Sequence, residues 1–258
     1  MKHVLIVRYL LPLLALILHS CSHHTSQKES TTLSIARTSA PQSYASLLSK
    51  YVTPQGVRYQ NWAQTPSDLE KLEQVTQFYA NHQPPSEEKE ALAWHLNAYN
   101  SWVLQRILAD WPNQGPLNSN LLFFHKKAIS ISGQKLSLLH FENKVIRKKF
   151  SEPRIHFALN CASRSCPPLH HQPFRAQDLD QTLQQLTTEF LNQNSYALEE
   201  TQNKIKLSQI FDWYAPDFGG RENLIPFINQ YREQPLPKHK KIQFLPYNWK
   251  INSNSPST

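Results

Sequence analysis

The residues best suited to chemistry lie in one short segment, Arg154–Leu169, which reads RIHFALNCASRSCPPL. It contains His156 and two of the three cysteines of the chain, Cys161 and Cys166. If the residues between the cysteines were extended, the two Cα atoms would lie about 16 Å apart, at roughly 3.3 Å per residue. A disulfide needs a Cα separation of about 4.4 to 6.8 Å. A bond between these cysteines therefore requires the segment to turn back on itself.

The cysteine pair has three possible chemical roles. In an oxidising compartment, two cysteines this close most simply form a disulfide, Cys161–Cys166. Zinc binding is less well supported, because Cys-x4-Cys is an unusual spacing and His170 and His171 would have to supply the other ligands. The third role is a reactive thiolate at Cys161, whose charge the nearby Arg164 would favour. We predict no metal site and keep the disulfide and the thiolate as alternatives.

The compartment is indicated by the first 21 residues. Lys2 and Arg8 make a basic start, and a mostly apolar run follows from Tyr9 to Leu18. This run is too short to span a bilayer and is typical of the apolar region of a secretory signal peptide. It ends in Leu-x-Ser-Cys, which resembles a bacterial lipobox, where cleavage precedes the cysteine and its sulfur is acylated. We therefore predict lipidation at Cys21.

This N-terminus predicts an exported protein of the bacterial cell envelope. Ser22, rather than an aspartate, follows the lipidated cysteine, which favours passage to the outer membrane, with the domain facing the periplasm. Each buried methylene of an acyl chain contributes roughly 0.8 kcal/mol, so several chains anchor a protein without a transmembrane helix. The membrane is thus a predicted partner, through the anchor at Cys21.

Composition divides the chain into four predicted parts. Residues 1–20 form the signal peptide, and residues 21–40, rich in Ser, Thr, His and Gln, form the lipidated N-terminus and a flexible tether. Residues 41–251 form one globular domain, long enough to bury a core without disulfides. Residues 252–258 form a flexible tail.

Charge and glycine content exclude two classes of function. The formal net charge of +8 comes from basic residues that are scattered rather than grouped on one segment, so we predict no nucleic-acid partner. The chain has only 5 glycines and no G-x-G-x-x-G or Walker-type run, so we predict no nucleotide cofactor and assign no other cofactor.

Hydrophobic periodicity predicts an α+β fold, a single domain of several helices packed on a small, mainly antiparallel sheet. The predicted helices span residues 42–51, 66–82, 86–110, 138–149, 176–194, 208–214 and 222–231. Two hairpins are predicted, one of residues 128–132 with 135–137 around Gly133-Gln134, and one of residues 196–200 with 204–207. Residues 154–160 are predicted as a strand.

Two asparagines on the long helix, Asn97 and Asn100, fall among apolar neighbours. A buried amide without partners costs about 1 to 3 kcal/mol, so both should be hydrogen-bonded. They either fasten a loop or strand edge, which we favour, or face a ligand. If residues 154–160 form a strand, His156 and Asn160 share the face that meets these asparagines, and Cys161 points to the opposite face. A His156–Cys161 pair then requires the strand to end or bulge near Asn160.

The motifs, taken in order, resemble the bacterial and plant family known as domain of unknown function 547 (DUF547). They run through nearly the whole mature domain, and the segments Asn-Ala-Tyr-Asn and His-Phe-Ala-Leu-Asn-Cys are the most specific among them. The matching pieces are Ala93–Asn100, Leu136-Ser137 with Phe141-Glu142 and Arg147, Arg154–Cys161 with Ser165–Pro168, Ile210–Tyr214 with Asp217-Phe218, and Leu245–Trp249.

The resemblance implies a set of site residues but no established activity. The family pattern includes His156, Asn160, Cys161, Cys166, Asn97, Asn100, Glu142 and Arg147. Where the family usually has Ile-Glu-His, this chain has Phe141-Glu142-Asn143, and His140, three positions earlier, is the candidate replacement for the missing histidine. Glu142 and Arg147 are five residues apart on a helix, so they are not direct helical neighbours and should bond to other elements. For Arg147 we favour a structural role, in a buried Glu–Arg network that holds the cysteine loop.

Two functions of different classes follow, and whether the protein is an enzyme stays open. The first, which we favour, is a lipid-anchored binding or scaffold domain for an unknown protein or small-molecule ligand, with the cysteines bonded. The second is a cysteine-dependent hydrolase or acyltransferase, similar to papain-like and transglutaminase-like enzymes. Cys161 would then be the nucleophile and His156 its base. Asn160, Asn97 or Asn100 would orient the base or stabilise the oxyanion.

Overall fold

The computed structural model describes residues 40–112, 122–126 and 128–254. All of them belong to one compact unit. The predicted signal peptide, the lipidation site Cys21 and the tether to residue 39 lie outside the described residues, as do residues 255–258 of the predicted tail.

Helices make up most of the described chain, and the longest lies in the core. Helix α4, Glu88–Ala109, begins where the Glu87 carboxylate accepts hydrogen bonds from the N–H groups of Lys89 and Glu90. This cap satisfies donors that the first turn leaves unpaired. The other helices are α1 (residues 40–51), α2 (Tyr59–Ala63), α3 (Pro66–Asn81), α5 (Leu122–His125), α6 (Leu138–His140, Phe141–Ile146 and Arg147–Lys149 in succession), α7 (Leu179–Gln193), α8 (Ile210–Trp213) and α9 (Leu224–Asn229).

The strands are short and form three small sheets among the described residues. Two are antiparallel pairs, β1 (Val52–Thr53) with β2 (Gly56–Val57), and β3 (Ile129–Ile131) with β4 (Gln134–Leu136). In the third, β6 (Lys204–Leu207) pairs antiparallel with β5 (Leu198–Glu200) and parallel with β7 (Lys241–Phe244). Helices packed with small, mainly antiparallel sheets confirm the predicted α+β class.

Residues 154–160 do not form the predicted strand. Pro153–Phe157 is a 3-10 helix, and the Glu152 carboxylate accepts a hydrogen bond from the Arg154 N–H at its start. The alternation of apolar residues has another cause here, because Ile155 and Leu159 pack in one hydrophobic cluster and Phe157 packs in a second. A period of two thus arises without a partner strand.

The buried hydrophobic side chains form two clusters. The larger cluster packs the buried faces of α1 to α4 against α6, and the smaller one packs the end of α7, sheet β5–β6–β7, α8 and α9. Phe157 belongs to the smaller cluster, and Ala158, Leu159 and Ala162 belong to the larger one, so the chain passes from one cluster to the other just before the cysteines.

The described part of the C-terminal segment pairs with the N-terminal hairpin. Val57 donates its N–H to the Asn252 carbonyl and accepts from the Asn254 N–H, each at 2.9 Å. At Gly56, φ is +127°, and a Cβ there would lie 2.2 Å from the Asn252 carbonyl oxygen. Only glycine fits this approach. Residues 252–254, which we assigned to the flexible tail, are therefore held against β2.

Candidate active site

A cleft of about 430 Å³ opens beside the cysteine segment and gathers most of the predicted site residues. Helices α4, α5, α6 and α8, the cysteine segment and the C-terminal segment all contribute to its wall. Its lining residues are Tyr99, Phe124, His125, Leu139, Glu142, Asn143, Arg147, His156, Leu159, Cys161, Cys166, Pro167, Ile210, Trp213, Tyr214, Tyr247 and Trp249. The wall is mainly apolar with a few converging polar groups, which is typical of a small-molecule site.

The loop from Cys161 to Cys166 turns back on itself, as a contact between the two cysteines requires. Ala162 has a left-handed backbone with φ of 59°, and its N–H donates to the Asn160 side-chain oxygen at 2.9 Å. The Asn160 amide donates to the Pro167 carbonyl at 2.8 Å and closes the loop. The tight turn presents Cys161 to the cleft.

Three neighbours surround the sulfur of Cys161. The hydroxyl oxygens of Ser163 and Tyr247 lie 3.0 and 3.1 Å from it, and these two oxygens lie 3.0 Å from each other. Burial raises the pKa of the Cys161 thiol, but hydrogen bonds from Cys166, Ser163 and Tyr247 outweigh it and set the pKa at about 7. Tyr247 itself stays a neutral donor, because burial and the nearby sulfurs raise its pKa. A large fraction of Cys161 is thus thiolate near neutral pH.

Cys161 and Cys166 are free thiols, so the predicted disulfide is not formed in the described structure. The Cys166 sulfur instead accepts a hydrogen bond from the Cys161 N–H at 2.9 Å. Burial and the proximity of Cys161 raise the pKa of Cys166. Arg164 was predicted to favour the thiolate, but it is exposed and lines a different cleft. Cys166 and the hydroxyls of Ser163 and Tyr247, rather than the charge of Arg164, stabilise the Cys161 thiolate.

His156 is buried, and its ring is fixed by the carboxylate of Asp217, 61 residues later in the sequence. Its Nε2 lies 2.8 Å from Asp217 Oδ2, and its ring stacks on Tyr214 at a centroid distance of 4.0 Å. Arg147 binds the same carboxylate through Nε at 2.6 Å and a terminal nitrogen at 2.8 Å. Burial raises the pKa of Asp217, but His156 and Arg147 outweigh it and hold that pKa well below its usual range. Asp217 is therefore ionised and fixes the His156 ring.

The predicted objection to a His156–Cys161 pair does not hold. It assumed a straight strand on which the two side chains point to opposite faces. Because Pro153–Phe157 is a 3-10 helix and a turn follows, both side chains line the same cleft. With His156 Nε2 at Asp217, the ring's Nδ1 has no hydrogen-bond partner among the described residues.

Glu142 and Arg147 bond to other elements, as predicted, and they form no direct pair that could hold the cysteine loop. Glu142 accepts hydrogen bonds from the hydroxyls of Tyr99 at 3.0 Å and Tyr214 at 2.6 Å, while Arg147 pairs with Asp217 and Asn143. The middle of α6 is a π-helix, in which the Arg147 N–H donates to the Glu142 carbonyl. This wider turn places both side chains on the cleft, and π-helical turns are frequent at functional sites.

The asparagines predicted as site support hold the backbone and do not face the cleft. Asn97 donates to the Phe174 carbonyl and accepts from the Phe174 N–H, both at 2.9 Å. Asn100 makes the same pair of bonds, with the Ala158 carbonyl and the Asn160 N–H. These contacts confirm the structural role that we favoured. They also remove Asn97, Asn100 and Asn160 as orienting or oxyanion groups, because their polar atoms already have partners.

An aromatic wall of Trp213, Tyr247 and Trp249 forms one side of the cleft. Ring centroids are 4.8 Å apart for Trp213 and Tyr247, 5.7 Å for Trp213 and Trp249, and 4.5 Å for Tyr247 and Trp249. Trp213 is 44 % exposed although its side chain is large and apolar. The wall continues to the reactive sulfur through the Tyr247 hydroxyl.

Comparison with protein families matches residues 85–191 to the family described as "Protein of unknown function, DUF547". No curated protein and no solved structure matches the chain. The DUF547 segment contains Glu142, Arg147, His156 and both cysteines, and the resemblance predicted from the motifs is supported.

The DUF547 position that usually has histidine is Asn143 here, and it lines the cleft. Its side-chain oxygen accepts a hydrogen bond from Arg147. His140, considered as a replacement, is not among the lining residues; its N–H donates to the Ser137 hydroxyl at the start of α6. An amide does not exchange protons near neutral pH, so Asn143 cannot act as an acid or base there as a histidine could.

Several residues of the site follow the matched segment, and the sequence analysis gave them no role. They are the lining residues Trp213, Tyr214, Tyr247 and Trp249, and Asp217, which binds His156. The available signal was the density of aromatic residues in Phe211–Tyr214 and Tyr247–Trp249, which the family resemblance quoted without assigning a function. His125 is a further lining histidine.

None of the described helices has the length and the apolar composition that a membrane span requires. Within the described residues, no group of three or more His, Cys, Asp or Glu side chains is arranged to hold a metal ion.

Proposed function

We propose that this DUF547 protein is a thiol-dependent hydrolase or acyltransferase with Cys161 as the nucleophile and His156 as the general acid and base. The observation that carries the proposal is that an acidic thiol and a carboxylate-bound histidine line the same apolar cleft. A nucleophile with a lowered pKa, and a histidine oriented by a third group, are what covalent acyl transfer needs.

Asp217 is the positioning residue for His156. With an N–H at Nε2 donating to the ionised carboxylate, Nδ1 is the nitrogen that takes up and returns a proton. The two hydrogen bonds from Arg147 fix the carboxylate in turn. This chain of contacts sets both the tautomer and the orientation of the ring, as the acid does in a hydrolase triad.

The reaction then proceeds in two steps. His156 Nδ1 first takes the proton of the Cys161 thiol. The thiolate attacks the substrate carbonyl, the bond to the leaving group breaks, and the leaving group departs with that proton, which leaves an acyl thioester on the sulfur. Water or an acceptor nucleophile then loses a proton to His156 and attacks the thioester, which frees Cys161. The hydroxyls of Ser163 and Tyr247, at 3.0 and 3.1 Å from the sulfur, are the side-chain groups that we expect to stabilise the oxyanion formed in each step.

The test is covalent capture of an acyl group on Cys161. The full-length protein is incubated with p-nitrophenyl acetate, released nitrophenolate is followed, and tryptic peptides are analysed by mass. Trypsin cuts after Arg154 and Arg164, so Cys161 is the only cysteine in the peptide Ile155–Arg164. We expect an acetyl thioester on this peptide, absent in Cys161→Ser. Equal nitrophenolate release by the wild type and by Cys161→Ser would contradict the proposal.

A second candidate is a binding or scaffold domain without chemistry, and the exposed aromatic wall favours it. Aromatic side chains held rigidly at a cleft are common in ligand sites because they bury a large area at low entropy cost. If the protein only binds a ligand, Cys161→Ser still binds that ligand, and the wild-type protein forms no acetyl adduct. The acylation experiment therefore separates the two functions.

We also propose that the protein is exported and lipid-anchored through Cys21, with the outer membrane as its location. The support is the basic start, the apolar run and the Leu-x-Ser-Cys ending of the N-terminal sequence. Metabolic labelling with radioactive palmitate, with Cys21→Ser as the control, tests the anchor. Label on the wild type alone is expected, and equal label on both proteins would contradict it. Membrane fractionation tests the location.

A further inference from the structure

Cys161 and Cys166 are neighbouring free thiols at one cleft. The Cys161 N–H donates to the Cys166 sulfur at 2.9 Å, and the hydrogen bond from Asn160 to the Pro167 carbonyl closes the loop around them. The loop therefore brings the second sulfur to the first cysteine without any further folding. In the acyl-transfer mechanism Cys161 is the nucleophile, and Cys166 only hydrogen-bonds it and takes no part in the bonds that form or break.

We propose that Cys161 is a site of reversible oxidation by hydrogen peroxide and that Cys166 captures the oxidised sulfur as an intramolecular disulfide. The accessible sulfur of the pair is Cys161, which is half-buried at the cleft, whereas Cys166 is 6 % exposed. Redox-sensitive cysteines are typically accessible thiolates that lie next to a resolving cysteine.

The first step oxidises Cys161 by two electrons. Its thiolate attacks one oxygen of hydrogen peroxide, an S–O bond forms, the O–O bond breaks, and the departing hydroxide takes up a proton as water. The product is a sulfenic acid on Cys161. The hydroxyls of Ser163 and Tyr247, at 3.0 and 3.1 Å from the sulfur, can hydrogen-bond the new S–OH group.

The second step joins the two cysteines. The Cys166 sulfur loses its proton and attacks the Cys161 sulfur, the S–S bond forms, the S–O bond breaks, and hydroxide leaves with that proton as water. Burial and the proximity of Cys161 raise the pKa of Cys166, so its thiolate is scarce. We therefore expect this step to be slower than the first and the sulfenic acid to be trappable.

The disulfide has a consequence for the cleft, and only this consequence rests on the proposed function. A bonded Cys161 has no thiolate to attack a carbonyl, so oxidation switches acyl transfer off and reduction restores it. The bond itself forms or fails to form whether or not the protein is an enzyme.

The test measures the bond directly. The full-length protein is reduced, freed of reductant, treated with hydrogen peroxide near pH 7, alkylated under denaturing conditions and digested with trypsin. Cleavage after Arg164 separates the cysteines, so a disulfide links peptide Ile155–Arg164 to peptide Ser165–Arg175. This linked pair excludes any contribution from Cys21. We expect it to appear with peroxide and to disappear with dithiothreitol.

Cys166→Ser is the matched variant. It cannot form the linked pair, and we expect its Cys161 to be captured by dimedone as a sulfenic acid. The inference is overturned if peroxide-treated wild-type protein gives no linked pair, whether Cys161 remains a thiol or is oxidised to sulfinic acid. A linked pair without any acetyl adduct from p-nitrophenyl acetate would support the oxidation site and contradict the enzyme.

Discussion

Helix α4 and the cleft use the same residue types in opposite ways. On α4, His95, Asn97 and Asn100 are buried and bond to main-chain groups. At the cleft, His156 and Cys161 bond to other side chains and border open space. A polar side chain satisfied by backbone fastens the fold, whereas side chains that satisfy one another beside a cavity keep groups available for chemistry. Burial of a polar residue alone does not distinguish the two.

The largest expected effect comes from replacing the cleft histidine. His156→Gln removes the general acid and base, and we expect acetylation by p-nitrophenyl acetate to fall by roughly 10²- to 10⁴-fold. His95→Gln is the matched control, because His95 bonds only to the Ala91 carbonyl and stacks in the core. It should be less stable yet keep its acetylation rate. Equal losses in the two variants would remove the distinction between the regions.

The carboxylate that positions His156 should have the next largest effect. Asp217 accepts hydrogen bonds from Arg147 and from His156 Nε2 through both of its oxygens. Asp217→Asn removes the negative charge and replaces one of these oxygens by an NH2 donor, so the carboxylate no longer fixes the His156 ring. We expect acetylation to fall by about 10²-fold, by analogy with the loss of orientation in a triad. Asp212→Asn, which breaks the surface pair of Asp212 with Arg221, is the control and should leave the rate unchanged. A wild-type rate in Asp217→Asn would show that His156 needs no positioning.

Asn100→Ala, a change on helix α4, should destabilise the protein and leave the chemistry at the cleft unchanged. It leaves the buried Ala158 carbonyl and Asn160 N–H without partners, and each such group costs about 1 to 3 kcal/mol. We expect a loss of about 2 to 4 kcal/mol in the free energy of unfolding, measured by urea denaturation. Asn61→Ala, at an exposed position of α2, should change it by less than about 0.5 kcal/mol. A loss of less than about 0.5 kcal/mol in Asn100→Ala as well would contradict the structural role of Asn100.

The smallest effect concerns the pH dependence of stability. Burial lowers the pKa of His95 to about 4, while the unfolded chain titrates near about 6.5. Between these values the unfolded state binds more protons, so His95 makes the protein less stable as the pH falls from about 6.5 to 4. His95→Gln should show a shallower fall over this range in urea denaturation at a series of pH values. An identical slope in both proteins would show that His95 does not titrate as a buried group.

How much was predictable differs between the same two regions. The long helix follows from its apolar periodicity and its acidic start, and the structural role of Asn97 and Asn100 follows from the cost of burying an amide. These are local signals. The cleft depends on contacts such as His156 with Asp217, which lie 61 residues apart and leave no local pattern.

The predicted strand at residues 154–160 failed for a related reason. Its alternation reflects two separate hydrophobic clusters, which periodicity alone does not distinguish from the two faces of a sheet. The objection to a His156–Cys161 pair rested on the same predicted strand, so it was wrong for the same reason. The π-helical turn in α6, which places Glu142 and Arg147 on the cleft, has no recognised sequence signal either.

The most direct test of the account is the pH dependence of alkylation at the two cysteines. Reduced full-length protein is treated with limiting iodoacetamide from pH 5 to 10, and the tryptic peptides Ile155–Arg164 and Ser165–Arg175 are quantified separately. The account predicts that Cys161 reacts with a midpoint near pH 7 while Cys166 stays slow across this range, because hydrogen bonds stabilise one thiolate and burial disfavours the other. A Cys161 midpoint at about 8.5 or above, the value of an ordinary thiol, or equal rates at the two cysteines, would contradict it.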